Sequence, residues 1–101
     1  MESGVATTAI QHAPSFDCRT TSAPDERTIC DNAGLVELER GMMETYRSLT
    51  VESGGTVPQA ARQYSKVALQ DRHAYGTNVD CITGILLAQK VYFTEMMRRH
   101  N

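Results

Sequence analysis

The order of apolar and polar positions divides the chain into stretches of helical period, and no alternation of period two extends over five residues. The clearest stretch holds Leu35, Leu38, Met42, Tyr46 and Leu49, at intervals of 3, 4, 4 and 3, which places them on one stripe of a helix. Glu37, Arg40, Glu44 and Arg47 fall mostly outside that stripe. Ahead of it, Ser22, Ala23, Pro24 and Asp25 read as a helix start: Ser22 can cap, and Pro24 sits where its missing N–H is harmless. That first helix is short and ends near Asp31, with Asp31 or Asn32 capping the next one.

After the second helix, Glu52, Ser53, Gly54, Gly55 and Thr56 read as a turn, because paired glycines weaken a helix and reach positive φ easily. Thr56 and Gln59 form a capping box for a third helix, with a stripe of Val57, Ala61, Tyr64, Val67 or Ala68, and Tyr75. Gly76, Thr77 and Asn78 interrupt the pattern, and Asn78 caps a fourth helix that runs through Met97. Ile82, Ile85, Leu86, Tyr92, Phe93 and Met96 make this helix apolar over more than half its circumference, so it is expected to be the most buried. Arg98, Arg99 and His100 suit a helix C-terminus through the dipole.

The expected fold is therefore all-α: a short N-terminal helix plus an antiparallel three-helix bundle, with turns at Gly54 and Gly76. Residues 1–13 are small and polar and read as a flexible N-terminal arm, which includes His12; residues 14–101 read as one helical domain.

Composition narrows the function. At 101 residues and 41% hydrophobic, the chain can bury only a small core, and a covalent staple would help it. Net charge is -2, with acids and bases interspersed, which gives no basic stripe for nucleic acid. The longest apolar run, Ile85 to Ala88, is too short for a membrane span. The first fifteen residues lack the basic start and apolar block of a signal peptide, and Met1 reads either as a start added to a mature form whose signal was removed or as a native cytoplasmic start.

Three cysteines is an odd count. Cys18 precedes the first helix and Cys30 closes it, so a loop followed by two helical turns can bring them together. A bridge there would close a loop of about thirteen residues and contribute about 3 kcal/mol in the chain-entropy model. The alternative is two reduced, buried thiols. Cys81 is left over, as an inert core thiol, an intermolecular bridge or a reactive thiolate.

Catalytic sets are sparse. His73 and Cys81 are the only plausible base–thiol pair, and nothing in the sequence identifies a carboxylate to orient the imidazole. The three His and three Cys are too scattered for structural zinc. Gly54-Gly55 is followed by no loop lysine and reads as a plain turn. In the pairs Met42-Met43 and Met96-Met97, one Met of each is expected to face the core. Arg72 and Glu39 are candidates for a partly buried ion pair between helices, the alternative being independent solvated charges. The chain is expected not to be an enzyme and to need no cofactor or metal.

The run Pro14-Ser-Phe-Asp-Cys18, then Ile29-Cys30, then an L-x-x-L helix start followed by an acid and a Tyr resembles the LprI-like lysozyme-inhibitor-type family of small exported bacterial proteins. The matching residues are Phe16, Asp17, Cys18, Glu26, Ile29, Cys30, Leu35, Leu38, Glu39 and Tyr46, with Glu39 where the family usually has Asp. In the second half Arg72 and Cys81-Ile82 fit, whereas Ser65, Lys66 and Ala68 stand in place of Gln, Arg and Trp. Gly76 stands in place of a third cysteine, so a second family bridge would have lost one partner and left Cys81 free.

The resemblance implies a small, helical, cysteine-bridged protein of the periplasm or the secreted space. It implies a protein-binding module, with lysozyme as one partner and inhibition by occlusion. The alternative is a structural or stress-related cell-envelope protein with no inhibitory activity. A minor reading is a thiol redox protein acting through Cys81.

Overall fold

The computed structural model describes residues 13–52, 54 and 58–100. Within them the chain forms four helices and no strand: α1 (Pro24–Cys30), α2 (Ala33–Glu52), α3 (Gln59–Tyr75) and α4 (Val79–His100). The arm expected over residues 1–13 lies outside the described residues except for Ala13, and so do Thr56 and Val57 of the third-helix reading.

The helix ends follow local chemistry. Pro24 opens α1, which puts Ala23 at the N-cap in extended conformation with no side-chain cap; Ser22 lies one residue too early for that role. Asn32 caps α2 by accepting the Leu35 N–H at 3.1 Å. Gly54 takes φ 76° and Gly76 φ 58°, so both expected turns stand at positions where a side chain would be strained. At the start of α3, Pro58 occupies the N-cap and makes no side-chain cap bond. Asn78 caps α4 by accepting the Cys81 N–H at 3.0 Å, and α4 continues three residues past Met97.

α4 is the shared partner of the fold, packing most extensively on α2 and next on α3. α2 and α3 make little direct contact; α1 lies against both of them and against α4. The core combines Ile29 of α1, Leu35, Val36, Met42 and Leu49 of α2, Ala61 of α3, and Ile82, Leu86 and Phe93 of α4. Phe93 is fully buried and joins the long helices through its ring neighbours, Tyr46 at 5.1 Å and Tyr64 at 6.0 Å.

Two expected stripes change in width. On α2, Val36 and Glu39 are buried beside the predicted positions, because this helix is covered by α1 and the N-terminal segment as well as by α4. On α3 the buried face is only Ala61, Ala68 and Arg72. Tyr75 and Val67 are 52% and 51% exposed, so the expected placement of Tyr75 in the core is corrected. Small residues let α3 approach α4 closely, and the larger side chains at its flanks remain outside.

Candidate functional site

Two regions carry chemistry: a polar clasp at the amino end, and an apolar face along α3 and α4.

The clasp begins with the disulfide between Cys18 and Cys30, whose Cα atoms are 5.9 Å apart. It ties the irregular segment before α1 to the end of that helix. Above it, Ser15 reaches Glu39 of α2: the Ser15 N–H donates to Oε1 at 2.8 Å, and the Ser15 hydroxyl donates to Oε2. Glu39 is thus a buried carboxylate that anchors the N-terminal segment, and the ion pair expected between Glu39 and Arg72 is replaced by another. The Arg72 Nε donates to Asp25 Oδ2 at 2.6 Å, and its Nη2 lies 3.8 Å from Glu26 Oε2. The Phe16 ring lies under the Arg72 guanidinium, 5.9 Å from centroid to Cζ. The Thr21 hydroxyl, inside the loop that the disulfide closes, donates to Glu26.

Asp25 is the centre of this cluster. Its carboxylate is fully buried, and its second oxygen lies 2.7 Å from the half-exposed His73 Nδ1. Burial pushes the Asp25 carboxyl up; hydrogen bonds from Arg72 and His73, with their charges, outweigh it and hold the group below the usual carboxylate range. Asp25 also sits in the first turn of α1, where a helix favours negative charge. Asp17 is likewise held low, by the side-chain hydrogen bond from Arg19, but at the exposed surface.

Of the residues that carry the resemblance, Ile29 and Leu35 are in the core, and Phe16, Leu38 and Tyr46 pack against it. Glu26, Glu39 and Arg72 belong to the clasp, while Asp17 only folds back on Arg19. Phe16, Cys18, Glu26, Cys30, Glu39 and Arg72 thus hold the amino end in place, whereas Ile29, Leu35, Leu38 and Tyr46 build the core and Cys81 lies on α4. Sequence reading missed Asp25, taken only as part of a helix start, and with it the orienting carboxylate that His73 seemed to lack. A buried acid in a first helical turn looks like an ordinary dipole-friendly residue, so its 47-residue reach to Arg72 left no local signal.

The second region is a groove between α3 and α4. The turn at Gly76 folds α4 back along α3, so Tyr75 and Asp71 flank Cys81, and Tyr64 stacks on Tyr92 at 4.2 Å further along. Two hollows share Tyr64 and Ala88: one of about 370 Å³ toward Cys81 and one of about 560 Å³ toward Glu95 and Arg99. The larger is walled by Leu87 and Val91, 47% and 62% exposed. Cys81 is unbridged and partly buried in the first hollow, and Gly84 and Ala88 keep the floor low. No group of three or more His, Cys, Asp and Glu among the described residues is arranged to hold a metal ion. No described helix is long and apolar enough to cross a membrane. The arrangement can bury apolar surface against another molecule. Met42 is buried, while Met43, Met96 and Met97 are partly buried, so the Met96-Met97 pair does not divide cleanly into a core and a surface residue.

No family model matches the chain, and no curated protein or solved structure matches it.

Proposed function

We propose that this protein is an exported, disulfide-clasped module that binds another protein through the α3/α4 face and acts by occlusion, with no chemistry of its own. In this reading the three long helices form an antiparallel bundle closed by α1. One observation carries the proposal: a small, covalently stapled domain leaves Val67, Tyr75, Leu87 and Val91 exposed along one groove. Contiguous apolar surface on a small soluble domain marks an interaction site more often than isolated exposed residues do. The disulfide fits an oxidising, extracellular-type compartment, which supports the periplasm or the secreted space.

Lysozyme is the first partner to test, on the strength of the amino-end resemblance. In a cell-lysis assay the folded protein at micromolar excess slows lysozyme, and Val91→Lys abolishes that effect. Normal lysis in the presence of folded wild-type protein rejects lysozyme as the partner. The second reading, a cell-envelope structural module without inhibitory activity, is favoured by the convergence of the resembling residues on the clasp. What most of them share is the means of holding a scaffold, and Cys81 alone of them lines the exposed face.

A further inference from the structure

We propose that the α3/α4 face also pairs with a second copy of this chain, two such faces meeting about a two-fold axis near Tyr64 and Ala88. The proposal rests on reading this face as an interaction surface, and not on the identity of any outside partner.

A two-fold interface must be self-complementary, because the same patch is used twice. This face meets that condition in both its apolar and its charged parts. Its middle is apolar and common to both hollows, at Tyr64 and Ala88, with Val91 and Leu87 alongside. One end carries Asp71, which makes no ion pair among the described residues. The other end carries Arg99, and there Arg98 and Arg99 share the single carboxylate of Glu95, at 2.5 Å and 4.0 Å. Among the described residues the two ends therefore have opposite net charge. Turning a second copy end for end lays its Arg99 over Asp71 and its Asp71 over Arg99, while the apolar middles meet. A head-to-tail contact would leave one such end unmatched in every pair.

Size decides the strength. From Cys81 to Arg99 the α4 axis runs about 27 Å, and two helices side by side are about 20 Å across. That footprint lies at the low end of specific interfaces, so the pair is weak and concentration-dependent, and an outside partner can displace it. The same geometry places Cys81 toward the Glu95 end of the other copy, away from the second Cys81. Pairing covers this thiol without bridging it.

The test is sedimentation of the full chain over roughly 10 μM to 1 mM, the range of a weak interface. The apparent mass is expected to rise from 11.2 kDa toward twice that value. Under the same conditions maleimide labelling of Cys81 slows as concentration rises. Val91→Lys stays monomeric and labels at one rate throughout. Arg99→Glu and Asp71→Arg each weaken pairing roughly three- to thirtyfold, because the substitution is present in both copies and removes two rim ion pairs, and the double variant restores it. A wild-type monomer across the range overturns the proposal. So does doubling of mass with unchanged Cys81 labelling, or a charge swap that fails to rescue. Loss of lysozyme inhibition in Val91→Lys alongside a monomeric wild type would retain the face as a partner site while rejecting the pair.

Discussion

Asp25 and Val91 live in the same small domain under opposite conditions: the carboxylate is fully buried, and the valine is 62% exposed. Asp25 is tolerable because Arg72 and His73 both bond it, and Glu26, Phe16 and the disulfide crowd the same corner. Val91 is tolerable because a lone exposed aliphatic costs little, but it lines the same groove as Leu87, Tyr64 and Ala88. The clasp spends its polar chemistry inward, on itself. The α3/α4 face directs its apolar surface outward. On the proposed reading stability and interaction are separated, and substitutions in one region should leave the other property nearly untouched.

The largest break is expected at Asp25. Asp25→Ala leaves the buried Arg72 guanidinium with only Glu26, at 3.8 Å, and should cost about 3–5 kcal/mol, the range for removing one partner of a buried ion pair. Denaturant unfolding reads this directly; a loss below about 1 kcal/mol would mean the cluster is not what holds α1 to α3. Next, replacing Cys18 and Cys30 together by Ser should cost about 3 kcal/mol in the chain-entropy model and lower the melting temperature by some 10–20 °C. Reduction of the wild-type bridge should match it.

Acid titration sharpens the comparison at a finer level. The folded-state pKa of Asp25 is depressed, so its contribution is present above the unfolded value of about 3.9. As pH falls below about 4 the unfolded chain takes up the proton first, and the contribution is lost as pH passes through the lower folded value. Stability at pH 5–7 should therefore be level in this respect and fall on further acidification, and Asp25→Asn should flatten that acid limb. Asp17 titrates in the same direction, but its exposed pair with Arg19 is screened by salt and should leave little trace. The smallest stability change belongs to the face. Leu87→Lys and Val91→Lys should alter unfolding by no more than about 0.5 kcal/mol while removing association, and a large destabilisation would show that these side chains are structural after all.

The helices and the starts of α2 and α4 were legible from local pattern, whereas the caps expected at Ser22 and Thr56 were not the ones the chain uses. Leu35, Met42 and Leu49 are buried as their spacing predicts, Asn32 and Asn78 cap where they stand, and Gly54 and Gly76 take positive φ. The Cys18–Cys30 bridge was legible as one of two alternatives, since a loop followed by two helical turns can bring the cysteines together. Most of the clasp's polar pairing was not. Glu39 looks like one more acid beside the stripe on α2, and Arg72 like one more base on α3; each became buried only because the N-terminal segment and α1 cover it.

For this protein, then, the amino-acid order alone determined an all-helical chain and its breaks, because those depend on neighbours within a few residues, and it left the covalent staple as one of two readings. Only the tertiary structure decided that Asp25 would take Arg72, that Glu39 would take Ser15, and that α3 would turn Val67 and Tyr75 away from the core. The reason is physical: a charge is buried or an apolar side chain stranded according to which helix lies across from it. That choice is made by packing over tens of residues, to which periodicity along one helix is blind.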